Sequence, residues 1–131
     1  YTMTFELYDY CSADGTNEFK VWTENLQSTP RGKLNQKLDA LKQHGDDLFP
    51  NMLTGTDTPG ILKLRVKGNV QLRPMLCRGP INNGTEYTLL LGAIEVGGKL
   101  KPAGADAIAN GLKTAVITAP DTRRKKHERV S

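Results

Sequence analysis

The stretch Ile61-Leu62-Lys63-Leu64-Arg65-Val66-Lys67-Gly68-Asn69-Val70-Gln71-Leu72-Arg73-Pro74-Met75-Leu76-Cys77 decides how this chain folds. Leu62, Leu64 and Val66 alternate with Lys63, Arg65 and Lys67, which is the period of a strand with one buried and one polar face. Gly68-Asn69 suits a tight turn into a second strand, with Val70, Leu72 and Leu76 toward the core and Gln71, Arg73, Met75 and Cys77 facing the other way. Pro74 has no N–H to give a ladder, so it implies an edge position or a bulge there.

Downstream, Asn82-Asn83-Gly84 is a loop, and the apolar run Tyr87-Thr88-Leu89-Leu90-Leu91-Gly92-Ala93-Ile94 is expected to be the central strand of an antiparallel meander. Pro102 opens a last helix to about Ile117, with Ile108, Leu112 and Ala115 on one face, and Ala119-Pro120 ends it. Upstream, Leu34, Leu38 and Leu41 recur at helical spacing between Thr29-Pro30 and the stop at Gly45. Phe19, Trp22 and Leu26 predict a shorter helix over roughly 17–27, capped by Thr16. Met3, Phe5 and Leu7 alternate with Thr4 and Glu6, so Met3 to Tyr10 reads as a half-buried strand. The segment from Asp46 to Gly60 reads as irregular. The expected architecture is α+β: an N-terminal strand, a helical hairpin, a three-stranded antiparallel meander and a C-terminal helix. Residues 1–119 form one domain in this reading, and the basic residues 120–131 form a mobile tail.

At 131 residues the chain suits a single domain, and 37% hydrophobic residues are enough for a modest core. No apolar run approaches the roughly 18 residues that span a bilayer. The opening Tyr1-Thr2-Met3-Thr4-Phe5-Glu6 has no secretory-signal pattern. Two cysteines, Cys11 and Cys77, make neither a disulfide framework nor a zinc site, so a cytoplasmic location is expected. The net charge of +4 is unevenly spread: residues 1–60 carry five Lys/Arg against nine Asp/Glu, and residues 61–131 carry thirteen against five. The basic half suits a polyanionic partner.

No phosphate-binding glycine loop, nucleophile elbow, zinc-helix motif or Cys-x-x-Cys is present. His44 fits the C-terminal end of a helix, and His127 reads as solvated beside Glu128. The informative feature is the cationic strand face: Lys63, Arg65 and Lys67, then Arg73 on the hairpin partner and Arg78 just beyond, all expected on one side of the sheet. Like charges side by side cost stability, and phosphate binding is a function that would outweigh that cost; an exposed sheet guarded by charge against edge aggregation and an acidic protein partner are the other readings of this face.

Three stretches resemble the RelE/ParE toxin superfamily, in particular its HigB-like, phage-derived branch. They are Phe5-Glu6-Leu7-Tyr8-Asp9-Tyr10 through Asp14-Gly15 to Asn17-Glu18-Phe19-Lys20-Val21-Trp22; Ile61-Leu62-Lys63-Leu64-Arg65-Val66 followed by Leu72-Arg73; and the apolar strand leading through a Lys-containing loop to Pro102, Ala103 and Ala107. The resemblance covers about residues 1–118 and its motifs are short. It implies a RelE-like fold, a cytosolic toxin encoded with a helix-turn-helix antitoxin, and cleavage of mRNA on the ribosome without a metal or other cofactor. In that chemistry a ribose 2′-hydroxyl attacks the adjacent phosphate, which requires a base, cations on the phosphoryl oxygens and an acid for the leaving oxygen. The implied catalytic residues are Arg73 on the scissile phosphate, Arg65 on the same or a neighbouring phosphate, and Lys63 in proton transfer. Lys67, Arg78, Lys99 and Lys101 are the implied RNA-binding residues. Two departures stand out. Val96-Gly97-Gly98-Lys99-Leu100-Lys101 replaces a Lys-Lys pair frequent in relatives, and the terminal helix has no aromatic or His to act as an acid. A non-catalytic binding member of the fold and a ParE-like gyrase inhibitor are the alternatives.

Overall fold

A computed structural model describes residues 4–131. In chain order the elements are β1 (Glu6–Tyr10), α1 (Glu18–Glu24), α2 (Ser28–His44), a 3-10 turn (Gly45–Leu48), β2 (Leu53–Gly55), β3 (Leu62–Leu64), β4 (Gln71–Leu72), β5 (Met75–Arg78), β6 (Glu86–Leu91), β7 (Ile94–Val96), β8 (Lys99–Lys101), α3 (Ala105–Thr118), α4 (Pro120–Arg123) and β9 (Arg124–Lys126). The chain is α+β. Met3, expected in the first strand, lies outside the described residues.

The main sheet runs β2-β3-β5-β6-β1-β9, and β4, β7 and β8 make a second, three-stranded sheet. The apolar run around Leu89 and Leu90 is central as expected, with β5 on one side and β1 on the other. The alternation of β3 sorts its side chains as the sequence indicates. Leu62, Leu64 and Val66 join Leu7, Phe19, Leu34, Leu38, Leu41, Leu76 and Leu89 in a core beneath α1 and α2. On the opposite side Met75, Cys77, Leu90 and Ala93 pack against Ala105, Ala109 and Val116 of α3. The two faces of the sheet are therefore covered by different helices.

Several expectations are corrected. The sheet is mixed, because β1 pairs parallel with β6. The hairpin is broken at Arg73-Pro74: β4 turns away to pair with β7, while β5 continues in the main sheet. This is the disruption that a proline without an N–H imposes. The segment 46–60 contains the 3-10 turn and β2. In α1 the side chain of Asn17, and not that of Thr16, caps the helix by accepting from the N–H of Lys20 at 2.9 Å. The face of α3 that is fully buried is Ala105, Ala109 and Val116, whereas Ile108 is exposed. Small residues there let the helix lie close on the sheet. Gly92 does the same for α1, since a Cβ at that position would overlap the indole of Trp22.

The largest correction concerns the end of the chain. Residues 120–131 are not a free tail: α4 leads into β9, which pairs antiparallel with β1, and the N–H of His127 donates to Leu7 at 2.9 Å. Their cations meet carboxylates. Arg124 reaches Glu86 at 2.7 Å with the two side chains 15% and 6% exposed, His127 reaches Asp9 at 2.8 Å, and Arg129 reaches Asp39 at 2.6 Å. The domain therefore takes in this segment as far as Val130, whose carbonyl accepts from Asn35 at 2.8 Å.

Removing one partner of a buried pair strands the other's charge. Arg124→Ala is expected to cost about 3 kcal/mol, measured by urea unfolding. Arg78→Ala, whose pair with Asp46 is exposed, is expected to cost less than about 1 kcal/mol.

Candidate nucleic-acid interface

Antiparallel pairing of β3 with β5 sets Lys63 opposite Met75, and the bridge between Val66 and Leu72 carries the same register onward. Arg65 thus lies opposite Arg73. Opposed residues share a face, so Lys63, Arg65 and Arg73 leave the sheet together, on the side of Met75 and Cys77. That side is not open across its width, because α3 lies over β5 and β6. The cations at the β3 end are the ones left outside its cover.

Arg73 is withdrawn. Its side chain is 4% exposed, donating from Nη1 to Leu72 O at 2.8 Å and from Nη2 to the Gln71 side chain at 3.3 Å. Glu95 of β7 stands 3.5 Å from Nε, too long for a hydrogen bond, and Nε has no partner. The N–H of Arg73 donates to Ala93 O at 2.8 Å, which closes β7 over it. A guanidinium in such a place needs a counter-charge, and Glu95 supplies it. The scissile-phosphate role read from the sequence does not match this placement.

Arg65 is different. Its backbone N–H donates to Met52 O at 2.8 Å, and its Nε is buried without a partner. Neither Arg65, Lys63 nor Lys67 forms an ion pair among the described residues. The bond from Arg65 to Met52 is the last toward β2, so Val66 and Lys67 run on past it. There α2 closes from the other face, and an open groove of about 250 Å³ forms between Lys37, Asn51, Met52, Arg65 and Lys67. It holds three cations and no carboxylate. Lys63, half-buried between Thr54 and Met75, sits just outside it.

The remaining expected residues do not converge here. Arg78 points to the opposite face, where it pairs with Asp46 at 2.9 Å and its guanidinium lies 5.4 Å from the Phe49 ring centre. Alternation requires this, since Arg78 shares its side with Leu76 and not with Arg73. Lys99 pairs with Val96 and Lys101 with Ile94. Both lysines therefore leave the small sheet on the face away from Glu95 and Arg73, and both are exposed. Lys37 was not singled out from the sequence. Only the position of α2 against the β3 edge makes it relevant.

His127 is also corrected. It is not solvated: its Nδ1 lies 2.8 Å from Oδ1 of Asp9, with side chains 11% and 0% exposed. Oδ2 of the same carboxylate accepts from Asn17 Nδ2 at 3.0 Å.

The cysteines are poor nucleophiles. Burial pushes the Cys77 thiol up to about 11 and raises that of Cys11. Burial, reinforced by the hydrogen bond to Asp46, likewise raises the Tyr87 phenol. Among the described residues no three His, Cys, Asp or Glu side chains gather to hold a metal ion, and no helix is long and apolar enough to cross a membrane. No family model, curated protein or solved structure matches the chain.

A thiol reagent such as DTNB at pH 8 is expected to label neither cysteine quickly in the native protein and both after unfolding. Fast labelling of one equivalent in the native state would contradict the burial of Cys11 and Cys77.

Proposed function

We propose that this protein binds RNA phosphates in the groove at the β3 edge and acts as a toxin of the RelE/ParE kind, cutting mRNA on the ribosome. The single observation that carries the RNA reading is the groove in which Lys37, Arg65 and Lys67 stand without a carboxylate. Unpaired cations favour a polyanion, because a phosphate neutralises them and releases its own counterions. The toxin reading draws further support from the order of a strand, two helices and then the sheet strands, among them the one that carries Lys63. A cytoplasmic location and a helix-turn-helix antitoxin belong to the same reading.

In this proposal Arg65, Lys67 and Lys37 hold phosphates, and Lys63 beside them is the candidate proton carrier. Arg73 ties β4 to β7 through Ala93 and Glu95. The non-catalytic alternative is favoured by a specific observation, namely that no His, Tyr, Asp or Glu lines the groove. The gyrase-inhibitor alternative has no such support.

The test is tightly controlled expression of wild type and of the double variant Arg65→Ala/Lys67→Ala. The wild type is expected to arrest growth and to leave new 5′ ends in translated messages, and the variant to do neither. With purified protein and single-stranded RNA, the double variant is expected to lower the slope of log affinity against log salt by about 2. Equal toxicity of the two proteins would sink the groove as the site. RNA binding without cleavage would select the non-catalytic reading.

A further inference from the structure

The groove of Lys37, Arg65 and Lys67 does not stop at Lys67. The chain turns next through Gly68, Asn69 and Val70, and a hollow of about 170 Å³ lies between that turn and the first residues of α2. Lys33 lines it, one helical turn before Lys37 and so on the same face of α2. Its Nζ lies over the turn, where a Cβ on Gly68 would stand 3.0 Å away. A third hollow, of about 390 Å³, shares Gln27, Pro30 and Val70 with the second and adds Trp22, Leu26 and Ile94. The three make one furrow from the β3 edge, past the start of α2, to Trp22.

The furrow changes character along its length. Lys33, Lys37, Arg65 and Lys67 occupy its first part, and none of them forms an ion pair among the described residues. The N-terminus of α2, whose cap residue Gln27 makes no side-chain capping bond, adds the positive end of its dipole. The last part is apolar, with Val70 40% exposed and Trp22 half-buried. Gly92 and Phe19 hold the indole from the hollow toward α3, and neither lines the furrow. Although the chain has 14 Asp and Glu, none lines any of the three hollows; Glu18 appears only on the far side of Trp22. The amides of Asn25 and Gln27 near the indole offer donors and acceptors, which base edges can use and apolar peptide side chains cannot. We propose that this furrow takes a short run of single-stranded RNA, with phosphates on Lys33, Lys37, Arg65 and Lys67 and an unstacked base packed against Trp22 and Val70. This inference rests on the RNA reading of the β3 groove and adds to it the path of the strand. It also adds a preference for single strands, because in a duplex the bases stack on one another and cannot reach the indole.

Trp22 is the only tryptophan in the chain, so its fluorescence reports on the apolar end directly. The probes are a short mixed-sequence single-stranded RNA, the abasic strand of the same length, the matching duplex and a peptide of alternating Glu and Phe, each titrated into the full chain. The single-stranded RNA is expected to quench Trp22 and to bind about tenfold more tightly than the abasic strand or the duplex. Trp22→Leu is expected to remove that preference without changing the affinity for the abasic strand, and Trp22→Phe to keep most of it. Val70→Ser, an exposed change, serves as the check if Trp22→Leu fails to fold, and it should weaken the RNA but not the abasic strand. Lys33→Ala is expected to lower the slope of log affinity against log salt by about 1 for both strands. Salt-dependent RNA binding with Trp22 unmoved and the abasic strand bound equally well would overturn this path and leave the β3 groove reading standing. No RNA binding at all would overturn both. Quenching by the peptide and not by RNA would assign the furrow to an acidic protein segment, and a signal that changes with protein concentration alone would assign it to a second copy; either result overturns the proposal.

Discussion

Asp9 and Glu86 are buried carboxylates on the adjacent central strands β1 and β6, at 0% and 5% exposure. A charge removed from water to that degree is stable only when it is paired and hydrogen-bonded. The last residues of the chain supply what is missing: Arg124 for Glu86 and His127 for Asp9, from the strand and strand end that β9 adds beside β1. Asn82 contributes its N–H to Glu86 at 2.9 Å, and Asn17 its amide to Asp9 at 3.0 Å. The Asn17 contact also ties β1 to the cap of α1, because the same side chain starts that helix. Closure of the sheet, placement of the first helix and docking of the C-terminus thus depend on neutralising two carboxylates.

This arrangement sorts the cations. Those of the C-terminal segment near β1 go largely into internal pairs, as do Arg78 with Asp46 and Arg73 with Glu95. The cations left unpaired near the β3 edge are the ones with the chemistry of a phosphate site. Arg65 differs from Arg73, directly across the ladder, only in what lies beyond it: β7 closes over one, and an open groove adjoins the other. Electrostatic function here belongs to uncompensated charge, not to charge density along the sequence.

The alternation of Leu62, Leu64 and Val66 with Lys63, Arg65 and Lys67 was sufficient to place β3 and its two faces, because side-chain direction in a strand is a local property of the backbone. The same holds for the helical spacing of Leu34, Leu38 and Leu41 and for the central position of the run at Leu89 and Leu90. Counting alternation from Arg73 to Arg78 was also enough to separate those two arginines, although the charge cluster suggests grouping them. Tertiary structure alone decided what covers each face: α3 over Met75 and Cys77, β7 over Arg73, and α2 beside Arg65. It alone made β1 parallel to β6 and turned the basic end into a strand, and it brought His127 to Asp9 across a separation of 118 residues. Local pattern sets which way a side chain points. Which partner meets it depends on strand pairing and charge burial between segments far apart in the chain, and only the closed fold sets those.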